Sequence, residues 1–433
     1  MEQKPPSPGP EHLATSNAGA QKTVKRTLFA RWRAPLQALF AVFVLSWVFQ
    51  LIPWRDVALF RDDGGEVQVS GELVGDWKQD RVGFLPAQDS NPLPGPFAAL
   101  QRTGDGSFEL SRDANASGQP SAPGHGFDWR PGMLRVFREM DPRGLAVALS
   151  LFVLGQLIVV TRWWRLLHGA GLRVSWYESL RLTCLGLFFN LAVPGLTGGD
   201  LVKALLAARA HPSRKPEALV SIAFDRLLGL LCMAVLAAVA VLLSGDVFAE
   251  IRLPVVGAAV LGVVGAVAIM SGGLRRAIGL ERILSRLPLA GVLQKLDAAL
   301  VTYSRQPAQL ALCVLLSFLN HLTVIGGILV LGRAFGDDIL AWSSYFAIAP
   351  VATIVSALPI APGGWGLGEA AYSSLFSMLG ASAAIGLATS VSFRLLQMVI
   401  SLVAGLFLFA PGSARLEDMK NLGGATERGG ISP

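Results

Sequence analysis

Six long apolar runs constrain this sequence of 433 residues more than any other feature. The runs lie at residues 36–52, 144–161, 218–243, 254–270, 309–331 and 383–409. A helix of roughly 20 apolar residues crosses the hydrocarbon core of a bilayer, which is about 30 Å thick. Hydrophobic residues make up 52% of the chain and charged residues only 15%, which argues against an ordinary soluble domain. We therefore predict a polytopic, all-α membrane protein with six crossings.

The charge distribution predicts how the crossings are oriented. The formal net charge is +7, and the basic residues cluster beside the apolar runs, most densely at residues 271–307. Basic loops tend to stay in the cytoplasm, so this pattern explains the charge without nucleic-acid binding. We predict a multi-pass protein of the cell inner (plasma) membrane with both termini in the cytoplasm. Residues 1–35 would be a disordered basic N-terminus and residues 411–433 a cytoplasmic tail.

Residues 53–143 form a polar insert between the first two runs. The insert has 14 acidic and 10 basic side chains, and this balance favours the outer side of the membrane. The composition predicts short strands at residues 66–74, 81–85 and 107–110, with loops at residues 86–96 and 115–126. Residues 131–140 are predicted to form an amphipathic helix on the membrane surface. The sequence thus predicts a small β-rich extracytoplasmic insert.

Two further apolar stretches, residues 187–208 and 355–371, are interrupted in the middle. Each interruption contains a Pro-Gly step, further glycines and one carboxylate, Asp200 or Glu369. The predicted loop-forming residues are Pro194, Gly195, Gly198 and Gly199 in the first stretch and Pro362, Gly363, Gly364 and Gly366 in the second. Within a bilayer, open backbone is tolerated only where protein buries it or where it lines a wet cavity. Broken apolar segments therefore indicate a binding site or a pathway.

Each interrupted stretch is predicted to be a re-entrant helical hairpin. Residues 200–210, which leave the first interruption, cover only about 16 Å at 1.5 Å per residue and cannot cross. With this choice the basic residues 271–307 stay in the cytoplasm. Two crossings, a hairpin and one crossing are then followed by the same order in the opposite orientation. Residues 144–410 are accordingly predicted to be a transmembrane domain that carries two re-entrant hairpins in an inverted repeat.

Two arginines, Arg226 and Arg394, lie deep within their apolar runs. Asp200 precedes Arg226 by 26 residues, and Glu369 precedes Arg394 by 25. An arginine at the bilayer centre costs roughly 2.5 to 3.5 kcal/mol, so each needs a partner or a wet cavity. One interpretation is a structural ion pair, Arg394 with Glu369 and Arg226 with Asp200 or Asp225. The other is that the guanidinium groups bind a phosphate, for which their planar donor fork is suited.

Other polar residues adjoin these elements. Further candidates for lining the cavity are Asn190, Thr197 and Trp365. Asp200 and Glu369 stand where they could cap the helices that follow, whose N-terminal amides otherwise attract an anion. For His321, a structural hydrogen bond is favoured over a proton path. Lys203 is expected to face the cytoplasmic head groups, and Arg162 is expected in the cytoplasm.

Four motifs in this order resemble one known family. They are RWWRLL at residues 162–167, PGLTGGD at 194–200, FDRLLGL at 224–230 and PGGWGLGE at 362–369. Together they resemble the lysylphosphatidylglycerol synthase transmembrane region, also called the flippase-like domain family. The resemblance implies a bacterial or archaeal membrane protein that moves lipids or lipid-linked head groups between leaflets. Bifunctional members continue into a soluble aminoacyl-transferase domain, whereas this chain ends 24 residues after the last run, so we expect no such enzyme activity.

The leading hypothesis is therefore a lipid flippase, with membrane lipids as partners. Arg226 and Arg394 would contact phosphate, while Asp200 and Glu369 would act as alternating partners of the arginines or would contact a cationic head group. One alternative is a membrane transferase with one of these carboxylates as general base, and another is a non-transporting scaffold whose insert binds an envelope partner. No cofactor or metal is predicted, and three widely spaced cysteines are expected in the core: Cys184, Cys232 and Cys313. The sequence leaves open the lipid, the direction of movement and whether the chain forms a homo-oligomer.

Overall fold

The computed structural model describes residues 54–62, 65–87, 102–104, 106–111, 126–192, 198–271, 301–356 and 366–409, together with Phe97, Leu100, Gly273 and Gln294. Five helices within these ranges are long and apolar enough to cross a membrane. They correspond to five of the six predicted crossings. The remaining one, residues 36–52, lies outside the described residues, as do the N-terminus, the tail and most of the basic loop at 271–307.

The helices are numbered here in chain order. A short helix, α1 (Met133–Arg138), follows the strands of the insert. The long helices are α2 (Pro142–Gly169), α5 (Lys215–Leu243), α6 (Ala249–Met270), α7 (Pro307–Ala334) and α10 (Ala383–Ala404), the last continued by a 3-10 turn at Gly405–Phe409. Four shorter helices form two consecutive pairs, α3 (Trp176–Ala192) with α4 (Gly198–Ala210) and α8 (Tyr345–Ser356) with α9 (Leu367–Met378).

The insert contains a five-stranded antiparallel sheet. Its strands are β1 (Asp56–Asp62), β2 (Gly65–Val74), β3 (Arg81–Pro86), β4 (Phe108–Ser111) and β5 (Gly126–Arg130), in the order β4-β3-β2-β1-β5. The three strands predicted from the sequence are confirmed, whereas the neighbouring strands β1 and β5 were missed. In β1 the consecutive side chains of Ala58, Leu59 and Phe60 are all buried, which removes the alternation that identifies a half-buried strand.

A buried carboxylate joins α1 to the sheet. Asp56 is 5% exposed, and its Oδ2 accepts hydrogen bonds from the backbone N–H of Leu73 and from Nε of Arg135, both at 2.8 Å. Its Oδ1 accepts from the backbone N–H of Gly132 at 2.6 Å. The helix that was predicted to lie on the membrane surface is thus joined to the sheet of the insert. One of its apolar residues, Val136, is buried in the core of this domain.

The sheet packs against one end of the helical bundle, which we call the insert end. Lys78 Nζ lies 2.8 Å from Oδ2 of Asp338, in the loop after α7. Trp77 and Lys78 also line a cavity of about 120 Å³ together with residues 336–339 and residues 380–382 of the turn between α9 and α10. The insert, the loop before α8 and the turn after α9 therefore lie at the same end.

Helices α2 and α7 form an antiparallel pair along their whole length. The facing residues are Gly144 with Ala334, Gly155 with Thr323, and Gly169 with Gln309. A Cβ atom on these three glycines would lie 2.6, 2.9 and 2.8 Å from the facing side chains, and at Gly144 it would meet the Cβ atom of Ala334, which cannot rotate away. Small residues allow close backbone packing between helices in a membrane, where no hydrophobic effect drives their association.

The pair α3–α4 is attached to the bundle at the end opposite the insert, which we call the far end. Trp176, the first residue of α3, donates from Nε1 to Oγ1 of Thr161 at 3.1 Å. Arg214, which follows α4, donates from Nη1 to the carbonyl oxygen of Ala170 at 3.2 Å. Both ends of the α3–α4 pair therefore lie beside the C-terminal part of α2.

The pair α8–α9 is attached at the insert end. Tyr345, the first residue of α8, donates its hydroxyl to Oδ2 of Asp337 at 2.5 Å, and α9 ends beside the turn at residues 380–382. Gly366 precedes α9 with φ +84°, a left-handed conformation that favours glycine. The segments that join the helices within each pair, residues 193–197 and 357–365, lie outside the described residues. They contain the predicted residues Pro194, Gly195, Thr197, Pro362, Gly363, Gly364 and Trp365.

Candidate functional site

The first predicted ion pair lies at the start of α4. Asp200 is in the first turn of α4, and its Oδ2 contacts Nη2 of Arg226, which projects from α5. The side chain of Arg226 is 43% exposed and that of Asp200 is 24% exposed, so other parts of the protein cover this pair only partly. Of the two partners that the sequence left open for Arg226, the structure shows Asp200.

The second ion pair is more deeply buried. Arg394 of α10 places Nε 2.5 Å from Oε1 of Glu369, in the first turn of α9, and their side chains are 17% and 4% exposed. The other carboxylate oxygen of Glu369, Oε2, accepts a hydrogen bond from the backbone N–H of Gly366 at 2.7 Å. Glu369 thus caps α9 with one oxygen and holds Arg394 with the other, which agrees with the capping role predicted for it.

A glycine precedes each of the two carboxylates and allows its helix to approach a neighbour closely. A Cβ atom on Gly199 would overlap the backbone of α3 and would lie 2.6 Å from Cγ of Asn190. A Cβ atom on Gly368 would lie 2.5 Å from Oγ of Ser356 in α8 and 2.6 Å from Nη2 of Arg394. The two short-helix pairs therefore present a carboxylate to an arginine through the same local arrangement.

Two cavities adjoin the ion pairs. The first, of about 330 Å³, is lined by Asp200 and Arg226, and the second, of about 270 Å³, is lined by Arg394. Asn190, in the last turn of α3, lines both cavities. Its Oδ1 accepts a hydrogen bond from the backbone N–H of Gly199 at 2.8 Å, so its amide NH₂ is the end that remains for a ligand. The other polar residues of the second cavity are Thr353, Ser356, Tyr372, Ser390, Gln397 and Ser401.

Asp225 pairs with an arginine that the sequence analysis placed in the cytoplasm. Nε of Arg162 lies 2.8 Å from Oδ1 of Asp225, and Nη1 of Arg162 donates to Oγ of Ser317 at 2.8 Å. Arg162 is 5% exposed and Asp225 is 6% exposed, so Arg162 lies inside the bundle and not in an exposed loop as the sequence predicted. The physical reason is that α2 continues to Gly169 and that a carboxylate and a hydroxyl satisfy the guanidinium group inside the bundle.

Lys203 also lies inside the bundle, and the prediction that it faces the head groups was wrong. Lys203 is 4% exposed, and its Nζ lies 3.7 Å from the centre of the Trp163 ring. It follows Asp200 by three residues, which places both side chains on one face of α4. The spacing of Asp200 and Lys203 is therefore a sequence signal for a shared cavity, and the prediction for Lys203 did not use it.

The remaining candidate side chains have structural partners or are buried, although His321 also lines the first cavity. Nε2 of His321 lies 2.9 Å from the carbonyl oxygen of Gly229, so this hydrogen bond joins α7 to α5 as the favoured interpretation expected. The three cysteines are free and buried: Cys184, Cys232 and Cys313. Over the part of the chain that the structure describes, no three His, Cys, Asp or Glu side chains group together as a metal site would require.

These features define a polytopic helical membrane protein in which two short-helix pairs carry equivalent carboxylate–arginine pairs beside neighbouring cavities. The family described as lysylphosphatidylglycerol synthase TM region matches residues 125–405, and the chain belongs to this family. The chain is also similar to the UPF0104 membrane protein PH1989 of Pyrococcus horikoshii, with 22% identity over 304 residues. That alignment covers 64% of this chain and 90% of the relative. The resemblance inferred from the four sequence motifs is thus confirmed.

Proposed function

We propose that this protein moves a phospholipid or a lipid-linked head group between the two leaflets of the membrane. The observation that carries this proposal is the equivalent placement of the Asp200–Arg226 and Glu369–Arg394 pairs beside cavities that share Asn190. A polar site of this kind inside a membrane protein commonly marks a substrate pathway. The family name, which refers to part of a lipid synthase, supports a lipid as the substrate.

The lengths of the short helices support a re-entrant arrangement. At 1.5 Å per residue, α3 and α4 measure about 26 and 20 Å, and α8 and α9 about 18 Å each, less than the roughly 30 Å of hydrocarbon. Each pair begins and ends at one end of the bundle, and the two pairs use opposite ends. We infer hairpins that enter from opposite leaflets and six crossings when residues 36–52 are included. The basic residues near the far end would then lie in the cytoplasm of a cell with this protein in its inner membrane.

Exchange of partners by the arginines gives a mechanism for moving a head group. The acyl chains would stay in the hydrocarbon while the head group passes through the polar cavities. A phosphate would replace the carboxylate on Arg226, and the ion pair would form again when the phosphate leaves, so the guanidinium charge always has a partner. Because Arg226 is 43% exposed and Arg394 only 17%, the first pair opens with less rearrangement than the second.

A leaflet-exchange assay in proteoliposomes with fluorescent phospholipids tests this function. We expect Arg226→Ala and Arg394→Ala to slow exchange by about tenfold or more, because a hydrogen bond to a charged group contributes about 1.5 to 3 kcal/mol. The matched control is Arg173→Ala, an exposed arginine between α2 and α3, which should exchange lipid at the wild-type rate. Equal rates in all four proteins would contradict the proposed site.

The same preparation distinguishes the two alternative functions. We propose transport without chemistry, so the lipids recovered after exchange should be unchanged in mass. A modified head group would instead support a transferase that uses Asp200 or Glu369 as a base. Absence of exchange by the wild type, together with stable capture of an envelope protein by residues 53–143, would support a scaffold.

A further inference from the structure

The first cavity contains one more cationic side chain than it has carboxylates. Its charged lining residues are Arg162, Lys203, Arg226, Asp200 and Asp225. Asp225 pairs with Arg162 and Asp200 with Arg226, which leaves Lys203 without a carboxylate of its own. Lys203 is near enough to Asp225 for an electrostatic attraction, but Asp225 already compensates Arg162. Among the described residues, no hydrogen bond or ion pair reaches the ammonium group of Lys203, which lies over the face of Trp163.

The surroundings of Lys203 compensate its charge incompletely. The side chain is 96% buried, since its exposed fraction is 4%, and it lies within a membrane-embedded bundle. An aromatic face attracts a cation only weakly compared with the cost of keeping an ammonium group away from water. An anion in the cavity would supply the missing partner and would accept hydrogen bonds from the three N–H donors of Lys203.

The second cavity has no cationic side chain without a carboxylate partner among the residues that line it. Its arginine, Arg394, is paired with Glu369, and the other polar residues that line the cavity are neutral. A bound anion would therefore gain more in the first cavity than in the second. Asn190 stands between the two cavities with its amide NH₂ available as a further donor.

We propose that Lys203 binds the phosphate group of a lipid in the first cavity and thereby makes the protein select lipids with a net negative head group. A phosphodiester carries one negative charge, which matches the one cation that the cavity leaves unpaired. A zwitterionic head group would bring its own cation into a cavity that already contains three. This inference rests on the proposed function, because it names the substrate class of the same site.

Competition binding to the purified full chain tests the role of Lys203. The probe is a fluorescent phosphatidylglycerol measured by anisotropy, and the competitors are unlabelled phosphatidylglycerol, phosphatidylcholine with the same acyl chains, and inorganic phosphate. We expect the wild type to prefer phosphatidylglycerol over phosphatidylcholine by about tenfold. Lys203→Gln and Lys203→Met should bind the two lipids equally, whereas Lys203→Arg should retain the preference. The matched control, Lys215→Gln, removes an exposed lysine at the start of α5 and should also retain it.

The competitors also identify the source of the phosphate. Competition by inorganic phosphate that is lost in Lys203→Gln would support a site for the phosphate group alone. Competition by lipids only would support a site for the intact head group. A wild type without preference, or a folded Lys203→Met variant that keeps the preference, would overturn the proposal. If Lys203→Gln loses the preference while the wild type fails to exchange lipid between leaflets, the proposed function fails and the binding site stands.

Discussion

At the scale of single residues, the ion pairs of Arg162, Arg226 and Arg394 differ most in burial. Arg162–Asp225 has side chains that are 6% and 9% exposed, whereas Arg226–Asp200 is 43% and 24% exposed. Removing one partner of a buried pair leaves an uncompensated charge, while an accessible pair contributes little to stability. Loss of one partner should therefore cost more stability in the first pair, and the second pair could exchange partners with less rearrangement.

This difference predicts unequal effects of two conservative substitutions. Asp225→Asn should destabilise the protein by about 3 to 5 kcal/mol, because the charge of Arg162 stays buried without its counter-ion. Asp200→Asn should destabilise the protein less, because this pair is less buried and borders a cavity, but it should still slow leaflet exchange. The unfolding midpoints of both variants can be measured with a thiol-reactive dye, which reports exposure of the three buried cysteines during heating. Equal shifts of the unfolding midpoint would contradict the separate roles.

The sequence predicted the ion pairs of Arg226 and Arg394, but it did not predict the pair of Arg162 with Asp225. Depth within an apolar run was enough to single out Arg226 and Arg394, because a charge at that depth requires compensation. Arg162 was misplaced because it stands at the end of an apolar run beside other basic residues, the usual pattern of a cytoplasmic loop. Its actual partner, Asp225, is 63 residues away, and only the packing of α2 against α5 brings the two together.

At the scale of helices, glycine positions control how closely neighbouring helices pack. Gly199→Ala should separate α3 from α4, because the new methyl group would overlap the α3 backbone and Asn190. We expect a lower unfolding midpoint and slower leaflet exchange. The control is Gly257→Ala in α6, where a Cβ atom would meet no atom within 4 Å and where alanine favours the helix by about 1 kcal/mol. A Gly199→Ala variant as stable and active as Gly257→Ala would contradict this packing.

The long helices were predictable because apolar length alone identifies them, and only their ends differed. The crossing predicted at residues 144–161 is the helix Pro142–Gly169. It extends further than predicted because Arg162, after the predicted end, has a partner inside the bundle. The strands were harder to predict. A run with all side chains buried, such as Ala58 to Phe60 in β1, has no period to detect, and an edge strand such as β5 is short and follows a loop-like segment.

At the scale of the whole molecule, two opposed attachments define the architecture. One short-helix pair joins the far end of the bundle, the other joins the insert end, and the antiparallel pair α2–α7 extends between them. The insert lies at one end of the bundle, where it contacts the loop before α8 and the turn after α9. The sequence predicted an inverted order of elements, whereas the asymmetry of charge between the two cavities, which depends on Lys203 and Arg162, was not predicted.

Labelling of single cysteines from each side of the membrane tests the central claim most directly. In a background with alanine at positions 184, 232 and 313, four exposed positions receive one cysteine each: Arg173, Ser213, Asp338 and Met378. The first two flank the α3–α4 pair, and the last two flank the α8–α9 pair. We predict that the variants at Arg173 and Ser213 are labelled from the cytoplasmic side only, and those at Asp338 and Met378 from the outer side only. Labelling of Arg173→Cys and Ser213→Cys from opposite sides would show that the first pair crosses the membrane and would contradict the account.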